Sequence, residues 1–164
     1  DNSAALIEDL LPQVKQLGST PKTWQLIKHD YNQGKGQAIR TGLASARGSL
    51  VVIHDADLEY DPCDYDSLIQ ALVSQQASVV FGSRLHPEVL ARNREGFSTV
   101  FYLGNRLLTW VTNMLYATRL TDMETCYKAF RAEVLHRLPL KANGFDIEPE
   151  MTALLAKQKV GIVE

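Results

Sequence analysis

The segment VVIHDADLEYDP, residues 51–62, constrains the fold of this chain more than any other. It follows Leu50 with a continuous apolar run, as in strands that are covered on both faces of a sheet. Asp55, Asp57, Glu59 and Asp61 then occupy alternate positions. Alternate residues of an extended chain share a face, so the first three carboxylates can converge, whereas Asp61 beside a proline is typical of a turn. Two carboxylates about 5 Å apart repel by about 3 kcal/mol at an effective dielectric near 20. The pattern therefore favours a bound cation, with a solvated acidic loop as the alternative.

Alternating strand and helix patterns surround this segment. Strands are predicted at 23–29, 49–55, 78–84 and 160–164, and helices at 4–17, 37–47, 64–76, 97–118, 132–138 and 146–158. Residues 121–131 are interpreted as a turn that leads into a short strand. This order predicts an α/β fold with a mostly parallel sheet, in which ligands bind beyond the carboxyl ends of the strands. The acidic segment then lies at the functional edge.

Composition limits the class of protein. The chain has 164 residues, 45% of them hydrophobic, which is enough for one compact domain, predicted to span 1–164. A net charge of −2 argues against a nucleic-acid partner. Cys63 and Cys126 lack the spacing of metal ligands, which favours a reduced cytosolic setting; Cys126 is interpreted as a small packed residue. The missing initiator methionine and the strand-like end KVGIVE indicate an internal fragment.

Two further motifs carry phosphate-binding chemistry. Gly34-Lys35-Gly36 precedes a helix, where backbone N–H groups and an ammonium can cradle phosphate; an ordinary turn is the alternative. Gly82-Ser83-Arg84 follows the strand predicted at 78–84 and can bring a guanidinium to the same sheet edge. A surface arginine is the alternative there.

The motifs in order resemble family 2 glycosyltransferases of the GT-A fold. The matching stretches lie in 31–164 and include NQGKGQAIRTGLASARGSLVVIHDADLEYDP, VVFGSR, TDMETCYKAFRAEVL and GFDIEPEMTALLAK. The resemblance is greatest to polyprenyl- or dolichyl-phosphate hexose synthases. It implies a Rossmann-like sheet flanked by helices, a nucleotide-sugar donor of the UDP-glucose or GDP-mannose type, Mg²⁺ or Mn²⁺, and transfer of a hexose to a lipid phosphate with inversion. The family's N-terminal strand or strands are missing here, which leaves the nucleobase and the activity of the isolated fragment open.

The resemblance also implies roles for single residues. The catalytic residues would be Asp57, Asp122 and Arg84, and the residues that bind the donor nucleotide would be Gly34, Lys35, Gly36 and Asp55. The metal ligands would be Asp55, Asp57 and Glu59, and the acceptor phosphate would be bound by Arg84 or Arg94. A phosphate acceptor is already anionic, so Asp122 is a weaker candidate for a general base, and a turn-capping role is the alternative.

The apolar helix predicted at 97–118 has two interpretations. Its uncharged run is shorter than the roughly 20 residues that cross a bilayer. It is either part of the core or, with the loop at 85–95, a peripheral membrane contact over 85–118 that admits a lipid phosphate. The second interpretation places the protein at the cytoplasmic face of a membrane. Glu148 and Glu150 are expected mainly to favour a helix N-terminus.

Three other functions fit parts of the pattern. The first is a family 2 transferase that acts on a saccharide or cell-wall polymer, and the second is a non-catalytic module that binds nucleotide or metal. The third is a response-regulator-like α/β domain, which also clusters aspartates at strand ends but leaves the G-K-G and G-S-R motifs without a role.

Overall fold

The computed structural model describes residues 3–16, 25–57, 60–74, 77–85, 89 and 99–164. It contains two compact units, residues 1–32 and 33–164. The first unit contains helix α1, Ser3–Gln16, and an ion pair between Lys28 and Glu8. Residues 25–29 have no regular secondary structure. The strand predicted at 23–29 is therefore wrong for the part that is described, because an apolar pattern does not guarantee the ladder partner that a strand requires.

The second unit alternates helices with short strands, as the sequence pattern predicted. Its elements are α2 (Lys35–Ser45), β1 (Leu50–Ile53), a 3₁₀ turn (Pro62–Asp64), α3 (Tyr65–Ser74), β2 (Val79–Phe81), α4 (Thr99–Tyr116), β3 (Lys128–Arg131), α5 (Ala132–Leu135), α6 (Ile147–Lys157) and β4 (Ile162–Val163). The Asp61 side chain accepts a hydrogen bond from the Cys63 N–H at 2.9 Å and caps the 3₁₀ turn. The turn role that was predicted for Asp61 is confirmed.

The four described strands form a mixed sheet in the order β1-β3-β2-β4. Strand β3 pairs antiparallel with both β1 and β2, while β2 and β4 pair in parallel. Strands β1, β2 and β4 therefore run in the same direction, and β3 alone is reversed. The predicted α/β class is confirmed. The sheet is mixed because the reversed strand lies between two that share a direction.

The sheet is covered on both faces. Along β2, Val79 and Phe81 pack with Phe130 against one layer, while Val80 packs with Ala129 against the other. Helix α6 covers the first face with Ile147, Met151 and Leu155, and α3 covers the second with Leu68 and Leu72. All three residues of β2 are buried. A continuous apolar strand is the expected sequence for such a position.

Helix α4 presents its polar side to the protein and its apolar side outward. Thr109 and Thr112 are buried, and Asn113 exchanges hydrogen bonds with the backbone of Leu120 at 2.8 and 2.9 Å. The large apolar residues at three- and four-residue spacing are 49% to 78% exposed: Val100, Phe101, Leu103, Leu107, Leu108, Trp110, Met114 and Leu115. We call this set the α4 apolar face. The core interpretation of this stripe is wrong, because polar side chains make the contacts with the rest of the unit.

Among the described helices, none combines the length and the apolar character that crossing a bilayer requires.

Candidate functional site

The candidate site lies at the carboxyl ends of β1 and β2. In the sheet register, Lys128 at the start of β3 is opposite both Ile53, the last residue of β1, and Phe81, the last residue of β2. The segment before β3 therefore lies at the same edge as the two segments that follow β1 and β2. Asp55, Arg84 and Asp122 all come from these three segments. This is the edge at which the sequence predicted a ligand site.

Lys35 and Asp55 meet at this edge, although they are twenty positions apart. The Lys35 Nζ lies 2.9 Å from Asp55 Oδ2 and 2.7 Å from the Cys126 sulfur. Burial alone raises the pKa of Asp55, but hydrogen bonds with Cys126 and Lys35 outweigh it and hold that pKa below 3.8. Burial and the hydrogen bond to Asp55 raise the pKa of Cys126 to about 11. Cys126 is thus a neutral thiol, consistent with the packed residue that was predicted.

The two glycines of the G-K-G motif allow a loop to approach closely. A Cβ on Gly34 would collide with the Asn143 carbonyl oxygen, and one on Gly36 with that of Ala142. Gly34 also has a φ of +87°, which favours glycine. The Gly36 N–H donates to Gly144 O and the Gln37 N–H to Asn143 O, both at 3.2 Å. The Gly36 and Gln37 N–H groups are thus engaged by the loop at 143–144, and the phosphate-binding role of this motif stays a prediction.

Behind Lys35 lies Glu148, from the first turn of α6. Its side chain is 2% exposed. The Glu148 Oε1 atom lies 2.8 Å from Lys35 Nζ, and the Oε2 atom forms an ion pair with the fully buried Lys128. Burial alone lowers the pKa of Lys35, but Glu148 and Asp55 outweigh it and hold that pKa above its ordinary value. A favourable effect on the helix N-terminus is therefore only part of what Glu148 does. The sequence offered no local signal for this contact, because Glu148 and Lys35 are far apart along the chain.

Arg84 and Asp122 form a second ion pair at the end of β2. The Arg84 Nε and Nη2 donate to the two Asp122 oxygens at 2.8 and 3.0 Å, and the Arg84 backbone N–H adds a third bond at 3.0 Å. Asn105 of α4 donates a fourth at 2.7 Å. Burial raises the pKa of Asp122, but the bonds and charge of Arg84 outweigh it, so that pKa lies below 3.8. Asp122 is fully buried and orients the guanidinium.

Two other residues lie near these pairs. The hydroxyl of Tyr60, which lies in the acidic segment, accepts a hydrogen bond from the Cys126 N–H at 3.0 Å. Burial and the nearby Glu148 carboxylate raise the pKa of Glu124, which also senses Arg84 and Asp122. The Arg84–Asp122 pair and the Lys128–Glu148 pair are therefore both within electrostatic reach of Glu124. Sequence reasoning missed Glu124, although it lies in the quoted stretch TDMETCYKAFRAEVL.

The remaining candidates fall partly outside the described residues. Asp57 is exposed on the bend after β1. Glu59 and Arg94 lie outside the described residues, so their predicted roles are not tested. The part of the chain that is described contains no group of three or more His, Cys, Asp or Glu residues placed to hold a metal ion. The role that each site residue was assigned from the sequence stays a prediction.

Several known proteins with similar sequences are named as glycosyltransferases or sugar synthases. Over 143 residues the chain is 30% identical to a UDP-N-acetylglucosamine–dolichyl-phosphate N-acetylglucosaminyltransferase of Methanococcus voltae, covering 84% of this chain and 56% of that protein. It is 34% identical over 128 residues to a dolichyl-phosphate beta-glucosyltransferase of Drosophila melanogaster, covering 71% of this chain and 38% of that protein. It is 22% identical over 126 residues to a dodecaprenyl-phosphate galacturonate synthase of Rhizobium johnstonii, covering 77% and 35%. The chain thus spans just over half of the first relative and less than two fifths of the other two.

A family model agrees with these similarities. The model described as glycosyl transferase family 2 matches residues 1–138, most of the chain. The GT-A fold that the motifs implied is consistent with the mixed sheet and its flanking helices. The resemblance seen in the sequence is confirmed: this chain belongs to glycosyl transferase family 2.

Proposed function

We propose that the protein transfers a hexose from a nucleotide sugar to a polyprenyl or dolichyl phosphate, with inversion at the sugar carbon. The observation that carries the proposal is that the Lys35–Asp55 and Arg84–Asp122 ion pairs lie at the same edge of the sheet. The first pair can serve a diphosphate leaving group, and the second can serve a phosphate acceptor. The names of the Methanococcus voltae and Drosophila melanogaster relatives, both with a dolichyl-phosphate acceptor, support this choice.

At the donor end, Asp55 and Asp57 are the residues that would hold Mg²⁺ or Mn²⁺, with Glu59 as a further candidate. One or two carboxylates fit such an ion, because Mg²⁺ is commonly bound by few protein oxygens together with substrate phosphates. The bound ion would stabilise the negative charge that grows on the departing nucleoside diphosphate. Lys35 contributes its positive charge and holds one Asp55 oxygen in place. These contacts support the donor-binding role proposed for the pair.

At the acceptor end, Arg84 is the candidate for binding the phosphate. Its orientation is set by Asp122, which is buried and has a pKa below 3.8. A carboxylate whose pKa is lowered and whose oxygens are occupied by an ion pair would be a poor proton acceptor near neutral pH. A phosphate monoester needs none, since its second pKa is about 6. The buried and ion-paired state of Asp122 therefore supports a role in orienting Arg84 for a phosphate acceptor rather than a role as the general base.

A peripheral membrane contact through 85–118 is part of the proposal. The α4 apolar face is exposed, and Asn105 links the same helix to Asp122. A helix of this kind can lie in the membrane interface with its apolar residues among the acyl chains. This would bring the lipid phosphate to the sheet edge. The cytoplasmic side of the membrane stays an expectation from the sequence.

The test is a transfer assay with the full-length protein. UDP-glucose, UDP-N-acetylglucosamine and GDP-mannose are offered separately to a polyprenyl phosphate, with Mn²⁺, with Mg²⁺ and with a chelator. We expect one donor to yield a lipid-linked sugar and the chelator to abolish the product. Transfer to a saccharide or cell-wall polymer instead would contradict the acceptor. Binding of UDP or GDP without transfer to either acceptor would indicate a non-catalytic module.

Substitution of Glu124 distinguishes a phosphate acceptor from a sugar-hydroxyl acceptor. Glu124 is half-buried near Arg84 and Asp122 and its pKa is raised by burial, so we propose it as the candidate that would accept a proton from a sugar hydroxyl. For a phosphate acceptor we expect Glu124→Gln to retain turnover within about tenfold, because no proton has to be removed. A loss of 10²-fold or more, the usual contribution of a general base, would favour the hydroxyl acceptor.

A further inference from the structure

Glu148 occupies a position that helix stability does not explain. It lies in the first turn of α6, yet its carboxylate is 2% exposed and lies between two lysines from different elements. Lys35 comes from the start of α2, and Lys128 from the start of β3. Helix N-termini are stabilised by exposed acidic residues as well. Burial of this carboxylate therefore needs another reason.

Lys128 alone does not supply that reason. The Lys128 ammonium is fully buried, donates to the carbonyl oxygen of Thr125, and lies 4.5 Å from the centre of the Phe81 ring. One carboxylate oxygen, Oε2, serves this lysine, and one pair is enough to neutralise both charges. The second oxygen, Oε1, is directed to Lys35 at 2.8 Å. The contact with Lys35 is the part of the arrangement that reaches the candidate site.

Three groups surround the Lys35 ammonium. It donates to Asp55 Oδ2 at 2.9 Å and to Cys126 Sγ at 2.7 Å, and it lies 2.8 Å from Glu148 Oε1 as an ion pair in which that oxygen accepts no hydrogen bond. A lysine ammonium has three N–H donors on a flexible side chain. Two hydrogen bonds and the charge of the buried Glu148 carboxylate, which come from three separate segments, hold this ammonium between them. The direction in which Lys35 holds the Asp55 carboxylate is then set from behind by Glu148.

We infer that Glu148 is a positioning residue, which holds Lys35 against Asp55 and so prepares the first aspartate of the D-x-D segment for the donor diphosphate and its cation. The inference rests on the proposed function for the identity of that ligand. It adds that affinity for a nucleoside diphosphate depends on a buried carboxylate more than ninety residues away from Asp55 in the sequence.

The experiment separates positioning from stability. Glu148→Gln alone would leave Lys128 buried without its counter-charge and could unfold the protein. The informative variant is the double substitution Glu148→Met with Lys128→Met, because replacing a buried ion pair with apolar groups of similar size is often neutral for stability. Lys128→Met alone is the matched control, since Glu148 keeps its contact with Lys35. Thermal unfolding and the calorimetric Kd for UDP and for GDP, each with Mn²⁺, are measured for the full-length protein.

We expect the double variant to unfold within a few degrees of the parent but to bind its nucleotide at least tenfold more weakly, which is about 1.4 kcal/mol. The Lys128→Met control should bind within about threefold of the parent. A double variant that regains both stability and the parent Kd would overturn the inference, because Glu148 would then only neutralise Lys128.

A second measurement does not depend on the ligand. In a crystal structure of the double variant, we expect the Lys35 Nζ to lie more than about 4 Å from the Asp55 carboxylate, beyond a direct ion pair. An unchanged Lys35–Asp55 contact would refute the positioning role. A parent protein that binds neither UDP nor GDP with Mn²⁺ would contradict the proposed function, while this structural comparison would still decide the role of Glu148.

Discussion

Substitution of Asp122 by asparagine tests the Arg84–Asp122 pair most directly. The Asp122 carboxylate is fully buried and accepts four hydrogen bonds, three from Arg84 and one from Asn105. Asparagine keeps the shape but offers one acceptor oxygen and places an NH₂ group among donors. Breaking a buried pair by removing one partner costs about 3–5 kcal/mol. The Arg84 side chain is 15% exposed, and water reaches part of it, so we expect a loss of about 2–4 kcal/mol.

The loss should depend on pH in a defined direction. The pKa of Asp122 is lowered by folding, so its contribution to stability is present above the unfolded pKa, near 3.8, and is lost as pH falls through the folded value. Asparagine does not titrate. The difference in unfolding free energy between parent and Asp122→Asn should therefore be full at pH 7 and shrink below pH 3.8.

Urea unfolding at pH 7, 5 and 3 measures this difference. Asp66→Asn, the same change at an exposed position of α3, is the control and should cost less than about 1 kcal/mol. An Asp122→Asn variant that is as stable as the control at pH 7 would show that the pair contributes nothing net. A difference that stays constant down to pH 3 would refute the assigned ionisation of Asp122.

Three further predictions concern other parts of the molecule. Gly36→Ala should destabilise the protein by about 1–3 kcal/mol, because the added Cβ would collide with a backbone carbonyl. Gly42→Ala, which has open space in the same helix, should instead stabilise it by up to about 1 kcal/mol. Urea unfolding compares the two variants, and equal effects would contradict the close approach of the loop to Gly36. Phe101→Glu should reduce flotation with phosphatidylglycerol vesicles. Phe101 is 78% exposed on the α4 apolar face, and the substitution would remove about 2 kcal/mol of favourable transfer of its side chain into the membrane. Val73→Glu on α3 is the control, and an equal loss of flotation in both variants would argue against docking through α4. Asp57→Asn should weaken the binding of Mn²⁺ with UDP or GDP in calorimetry, because it removes one carboxylate from the proposed metal ligands. Unchanged metal-dependent binding would remove it from the ligand set.

Sequence reasoning succeeded where the signal is local. The continuous apolar run of β1 predicted a covered strand, and the structure has the strand, with Ile53 buried and the other three residues half-buried. The functional role of the edge at which it ends stays a prediction. The turn and short strand interpreted at 121–131 are present as β3 and the segment before it. The strand predicted at 23–29 failed for residues 25–29, because strand formation depends on a partner that the local pattern does not contain.

Contacts between segments that are distant along the chain could not be predicted from the sequence. A glutamate early in a helix is typical of a favourable interaction with the helix N-terminus, and the spacing of Glu148 said nothing of Lys35 or Lys128. The apolar stripe of α4 was visible as a period of three and four residues, but periodicity does not tell which side of a helix packs. Buried polar groups need hydrogen-bond partners, and α4 supplies them to Leu120 and Asp122 from its polar side.

By itself, the amino-acid sequence determined the α/β class, the family, and the sheet edge to which Asp55 and Arg84 belong, because each depends on motifs of a few neighbouring residues. Only the tertiary structure decided how the charges pair: Lys35 with Asp55 and Glu148, and Arg84 with Asp122. These pairings join helix α6, the sheet and the loop before β3, and their strength comes from burial, which exists only once the chain has folded.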